Sequence, residues 1–116
     1  MRIAVIGSRT FSNYHLLDDT LKELGEGQFD FYTCIISGGA KGADQLAIKW
    51  AKKNNVPYKE FLPDFKTYRH PYHHRNRLIV EDCDYLVAFW NGYSTGTKYT
   101  IDYAKKMDKG IKIVKF

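Results

Sequence analysis

The feature that most constrains this chain is an alternation. Short apolar runs at residues 3–6, 32–36, 56–62, 85–90 and 111–116 are parted by segments of helical periodicity. The runs carry β-branched and aromatic residues, and several are continuously apolar, which suits central strands covered on both faces. Between the first two, Leu17, Leu21 and Leu24 follow i, i+4, i+7 and stop at Gly25. Between the next two, Ala43, Leu46, Ala47, Trp50 and Ala51 follow i, i+3, i+4, i+7, i+8 and stop near Asn54 and Asn55. A third helix is expected from about residue 73 to 82, and a fourth from 97 to 107, closed by Gly110. Strict alternation of this kind predicts an α/β fold: a Rossmann-like three-layer sandwich, with a five-stranded parallel sheet and helices on both faces. Every strand-to-helix turn then lies on one edge, where open α/β sheets bind ligands.

Length sets the scale. At 116 residues the chain is expected to be a single domain over 1–116, large enough to bury a core without disulfides or a structural metal. No run approaches the length of a membrane span, and the opening MRIAVIG turns into glycine too early for a signal peptide, so the expectation is a cytoplasmic protein with no membrane partner. Cys34 and Cys83 sit in apolar surroundings and read as buried thiols. A net charge of +5 favours anionic partners, although many lysines fall late in helices, where they also suit the helix dipole.

The turns on the shared edge carry the chemistry. Ser37-Gly38-Gly39-Ala40-Lys41-Gly42 joins a strand to a helix. Small residues there let main-chain N–H groups approach an anion at the positive end of the helix, as in a phosphate-binding loop. The spacing matches the dinucleotide fingerprint with serine replacing its first glycine; a P-loop is excluded because Lys41 is followed by glycine. The competing reading is tight packing of helix against sheet. Two further turns, Gly7-Ser8-Arg9-Thr10 and Asn91-Gly92-Tyr93-Ser94-Thr95-Gly96-Thr97, are also small and hydroxyl-rich. One of Ser94, Thr95 and Thr97 is expected to cap the last helix, leaving the others for phosphate or ribose hydroxyls. Arg75 shares a helical face with Ile79, so a cleft-facing Arg75 would be anchored one turn along by an apolar residue; Arg77 reads as a solvated charge. His70, His73 and His74 have no carboxylate or cysteine at ligand spacing, so no metal site is assigned. Residues 63–72 read either as a lid or as a loop with an aromatic plug.

Taken together, Gly7-Ser8-Arg9, Ser37-Gly38-Gly39-Ala40, Gly42, Asp44, Arg75-Asn76, Asp84 and Gly96-Thr97 resemble the SLOG superfamily, in particular its YspA-like branch. The resemblance implies a Rossmann-like fold whose glycine turns hold nucleotide-derived ligands, and it extends to the LOG phosphoribohydrolases and to the core of DprA. Thr100 stands where LOG enzymes carry their catalytic glutamate, and a threonine cannot act as anion or base near neutral pH. Asp102 falls on another side of the helix from Thr100. Asp44 is expected to bond ribose hydroxyls or cap its turn.

The expected function is binding of a nucleotide-derived small molecule, such as ADP-ribose, an NAD-derived signal or a nucleoside phosphate. The chain would serve nucleotide signalling as a sensor or a sequestering protein, with no cofactor required. The expected ligand-binding residues are Gly7, Ser8, Arg9, Ser37, Gly38, Gly39, Ala40, Gly42, Asp44, Arg75, Asn76, Asn91, Gly92, Ser94, Gly96 and Thr97. Alternatives are a nucleotide-processing hydrolase of LOG type and single-stranded nucleic-acid binding like that of DprA. A small core of this kind is also expected to form a homo-oligomer.

Overall fold

The structure, a computed structural model, describes residues 1–116 apart from the side chain of Phe29. Five strands form one parallel sheet in the order β3-β2-β1-β4-β5. They are β1 (Arg2–Gly7), β2 (Cys34–Ser37), β3 (Tyr58–Glu60), β4 (Tyr85–Trp90) and β5 (Gly110–Lys115). Helices α1 (Tyr14–Leu24), α2 (Ala43–Lys53), α3 (Pro71–Asp82) and α4 (Thr95–Lys106) alternate with them. Among the described residues, no helix is long and apolar enough to cross a membrane.

Alternation along each strand sorts the core into two layers. Ile3 and Val5 of β1, Ile35 of β2 and Val87 and Phe89 of β4 pack with Leu17 and Leu21 of α1 and Ala47, Trp50 and Ala51 of α2. Their neighbours Ala4, Ile6, Ile36, Leu86 and Ala88 meet Ile79 and Val80 of α3 and Ile101 and Ala104 of α4 on the other face. Central strands are thus covered twice, as their unbroken apolar sequence requires. Trp50 is fully buried, and its indole N–H donates to Asp18 Oδ1 at 2.9 Å, tying α2 to α1. Cys34 and Cys83 are buried free thiols.

Element ends depart from expectation for local reasons. The run at 56–62 pairs only over Tyr58–Glu60. Val56 is buried and gives its N–H to the end of α2, while Leu62 stands exposed in the following loop. Helix α3 begins at Pro71, where the fixed φ of proline suits the first helical position. Helix α4 begins at Thr95 because Ser94 is its N-cap, and Gly110 opens β5 instead of closing α4.

Candidate functional site

Strands β1 and β4 lie side by side in register, from Ile3 opposite Tyr85 to Gly7 opposite Phe89. Yet β1 feeds a helix on one face and β4 a helix on the other, so the chain diverges at their C-terminal ends. Such a switch point opens a crevice. The crevice here has a volume of about 490 Å³, within the size range of small-ligand sites. Its wall comprises Ile6, Gly7, Ser8, Arg9 and Thr10 after β1, Ala40 and Asp44 from the β2–α2 turn, Tyr72, His73, Arg75 and Asn76 of α3, and Asn91, Ser94, Thr95, Gly96, Thr97 and Thr100 around the start of α4.

Several polar side chains in this wall serve the protein's own backbone. Ser8 Oγ accepts from the Asn91 N–H at 3.3 Å, joining the ends of β1 and β4. Asn91 Oδ1 accepts from the N–H groups of Tyr93 and Ser94 at 2.8 and 2.9 Å, forming an Asx turn. Ser94 Oγ caps α4 by accepting from the Thr97 N–H and lies 3.1 Å from Thr97 Oγ1. Among the described residues, nothing accepts the N–H groups of Thr95 and Gly96, which are left at the positive end of α4 facing the crevice. Gly96 has open space where a Cβ would stand, so no packing requirement of the protein demands glycine there.

Arg75 is 6% exposed. Its Nε donates to Asn76 Oδ1 at 2.8 Å and its Nη1 to the Gly38 carbonyl at 2.5 Å. Burial lowers its pKa, the attraction of Asp44 raises it, and repulsion from Arg9 lowers it; a guanidinium keeps its charge throughout. The guanidinium carbons of Arg9 and Arg75 lie 5.6 and 5.8 Å from the centre of the Tyr72 ring. Among the described residues neither arginine forms an ion pair with a carboxylate. The cleft therefore holds two guanidinium groups against a single carboxylate, Asp44, and so carries an excess of positive charge that suits another anion.

Asp44 is the one carboxylate in the wall. Its Oδ2 accepts from the Ala40 N–H at 3.2 Å, so it caps the turn. Burial pushes its pKa up to about 6 from 3.8, against the opposing pull of Arg75 and the backbone N–H groups. A native pKa above the unfolded one means that the stability from this group is complete below about pH 4 and is lost as pH rises through 6. Asp44→Asn is therefore expected to leave stability unchanged at pH 4 and raise it by about 1–2 kcal/mol above pH 7, read from urea melts at both pH values.

The structure brings together Gly7, Ser8, Arg9, Ala40, Asp44, Arg75, Asn76, Asn91, Ser94, Gly96 and Thr97 in one wall. Ser37, Gly38, Gly39, Gly42 and Gly92 do not line it, although Gly38 lies directly behind Arg75 and Asp44. Ser37 is fully buried, its hydroxyl donating to the Val5 carbonyl at 2.8 Å. Gly38 is where Arg75 and Asp44 press in: a Cβ would lie 2.6 Å from Arg75 Nη1 and 2.9 Å from Asp44 Oδ2. Gly39 faces Glu60 and Leu62, and Gly42 faces the Ser8 and Arg9 carbonyls. The bareness of this turn is thus accounted for by the protein's own close approaches, and of its N–H groups Ala40's is given to Asp44. Gly92 has φ +88 and open surroundings.

Thr10, Tyr72, His73 and Thr100 line the wall although sequence spacing did not assign them, and Thr95, left free because Ser94 is the cap, lines it too. Pro71 was the available signal: starting α3 there puts Tyr72 and His73 on its first turn. The Thr100 hydroxyl donates to the Gly96 carbonyl at 3.0 Å, and Asp102 pairs outside with Lys98 at 2.9 Å. Arg77 is half-buried and donates to the Tyr99 hydroxyl at 2.8 Å, so it is not simply a solvated charge. His73 stacks on Tyr99 at 4.0 Å and His74 on Tyr68 at 3.5 Å. The stretch 63–70 is irregular, with Phe65 exposed and edge-on to Tyr72.

Fold and site together define a Rossmann-like α/β protein with a donor-rich cleft at the switch point of its sheet. The chain belongs to the YspA, cpYpsA-related SLOG family, whose pattern matches residues 1–68. Among curated proteins no sequence matches it. Solved structures share the fold at low identity. DNA processing protein A (DprA) from Streptococcus pneumoniae is 18% identical with a TM-score of 0.77, over 97% of this chain and 49% of that one. DNA processing protein A from Helicobacter pylori, described with a single-stranded DNA binding mode, is 19% identical with a TM-score of 0.71, over 97% and 64%. The molybdenum cofactor carrier protein of Chlamydomonas reinhardtii is 19% identical with a TM-score of 0.69, over 97% and 75%. The chain thus spans about half the length of the pneumococcal protein and about two thirds of the Helicobacter one.

Proposed function

We propose that the cleft binds a nucleotide-derived small molecule through its phosphates, and that the chain acts as a sensor or a sequestering protein for that molecule. One observation carries this reading: unpartnered N–H groups of Thr95 and Gly96 open into the same cleft as the guanidinium groups of Arg9 and Arg75, which share one carboxylate, Asp44, without a direct ion pair to it. Backbone donors at a helix start and bidentate guanidinium groups are the usual means of holding phosphate. Exposed aromatic rings at Phe65, Tyr72 and Tyr93 offer an apolar surface for a base. Turnover of the glycosidic type has less support. The Thr100 hydroxyl is engaged with the helix backbone, and Asp44 is the only carboxylate in the wall. The resemblance in fold to DprA makes single-stranded DNA the alternative partner to test.

Gly96 supplies the discriminating experiment. Gly96→Ala is expected to raise stability by about 0.5–1 kcal/mol, because alanine suits a helix better and the added Cβ meets nothing. Gly96→Leu, folded to the same extent by circular dichroism, is expected to lose at least about 90% of binding to ADP-ribose or nucleoside phosphates by filling the space above the helix start. Equal binding by wild type and Gly96→Leu would refute the reading. Small-ligand binding also predicts saturation by mononucleotide-sized compounds, whereas single-stranded DNA would bind with steep salt dependence and a demand for strand length. Mass spectrometry of small molecules released from the heated protein identifies the ligand.

A further inference from the structure

The cleft is built of donors on nearly every side. Asn76 spends its side-chain oxygen on Arg75, and Asn91 spends its own on Tyr93 and Ser94, so each has only its NH₂ left to offer. Asp44 is the exception, a carboxylate 5% exposed that forms no ion pair within the described residues. It and the Arg75 guanidinium approach the same point, the missing Cβ of Gly38. An anion gripped by Arg75 therefore comes to rest beside a buried carboxylate.

Building on the phosphate-binding reading above, we propose that the ligand enters together with one proton, which Asp44 takes, so that the carboxyl is neutral in the complex. Two like charges cannot share a poorly solvated site, and the same repulsion forces a proton onto one member of a carboxylate pair. Among the groups around Asp44, Arg75 on α3 favours the ionised form, as do the N–H groups of Gly38 and Ala40 and the Ser37 hydroxyl. Tyr72 and His73 of α3 and Arg9 after β1 also line the cleft, while α4 contributes the hydroxyls of Thr95, Thr97 and Thr100 beside its free N–H groups. When the ligand phosphate occupies Arg75, the charge that favoured ionisation is spent on the phosphate. In the empty protein burial already raises this carboxyl's pKa to about 6, so that at pH 7 it is still mostly ionised and able to accept a proton. Any further rise on binding draws in a proton at pH 7, and affinity falls as pH rises between the free and bound values.

Calorimetric titration with ADP-ribose tests this, because its diphosphate diester keeps a constant charge over the range concerned. Repeating the titration at pH 7 in buffers of different ionisation enthalpy counts the protons taken up. Wild type is expected to take up close to one proton per ligand and to bind about 30-fold more weakly at pH 8 than at pH 6. Asp44→Asn is expected to take up none and to bind equally at both pH values. His73→Gln, whatever its affinity, keeps the wild-type uptake. Wild-type binding without proton uptake, uptake that persists in Asp44→Asn, or uptake that vanishes in His73→Gln overturns the inference and leaves phosphate binding standing. An absence of saturable ADP-ribose binding overturns phosphate binding and the inference together.

Discussion

Replacing Gly42 by valine is expected to cost at least about 4 kcal/mol, a large share of the roughly 5–15 kcal/mol that holds a domain of this size together. Gly42 is the N-cap of α2, with φ +84 and ψ −132, a conformation that a β-branched residue adopts only under strain. Space is lacking as well. A Cβ would lie 2.5 Å from the Ser8 carbonyl oxygen and 2.8 Å from that of Arg9. Neither can easily yield, because Ser8 is buried and its N–H donates to the Phe89 carbonyl at 2.9 Å, at the junction of β1 and β4. Gly27→Ala is the control, since Gly27 also has positive φ, at +76, but nothing stands near its missing Cβ. It is expected to cost only about 1 kcal/mol, the backbone part alone. Thermal melts of both variants measure the difference, and a Gly42→Val melting point within a few degrees of wild type would mean that the two turns are not packed together.

Arg75→Ala is expected to weaken binding of a phosphate-bearing ligand by about 100-fold or more, the scale set by losing a charged, buried hydrogen-bonding partner. Arg75→Lys should recover little. A single ammonium cannot reproduce the planar set of donors that serves Asn76, Gly38 and a ligand together. The same substitution costs stability, because Arg75 is the main charge offsetting the burial of Asp44. Removing it pushes the Asp44 pKa further above 6, so the added loss appears above pH 6 and disappears below about pH 4. The double variant Arg75→Ala, Asp44→Asn is expected to regain that stability at pH 8 without regaining ligand. Titration calorimetry and urea melts read the two effects separately, and wild-type affinity in Arg75→Ala would remove the arginine from the site.

The architecture was legible because its signals are local. Short, continuously apolar strand runs, helical stripes at 17–24 and 43–51, and glycine-rich turns between them require no knowledge of distant neighbours. The shared edge follows from alternation, and Arg75 could be placed through the resemblance of its segment to the SLOG superfamily, its spacing from Ile79, which is fully buried, showing how it would be anchored. Legibility failed at short edge elements and helix starts. Residues 56–62 look like a long strand, yet β3 is an edge of three exposed residues, since apolar character at Val56 and Leu62 serves a helix end and a loop instead. Tyr72 and His73 were missed because the reading began α3 two residues late, past the proline that starts it.

By itself, then, the sequence determined the order and type of the elements, the parallel sheet and the edge that carries the cleft, because periodicity and turn chemistry act over a few residues. Tertiary structure alone decided what each bare position in the turns was for. Arg75 donates to the carbonyl of Gly38 from 37 residues away, and Ser8 and Arg9 close over Gly42 from another turn altogether. A glycine looks the same in sequence whether it makes room for a ligand or for the protein's own chain, and only the packed neighbours distinguish Gly42, which is crowded, from Gly96, which is open.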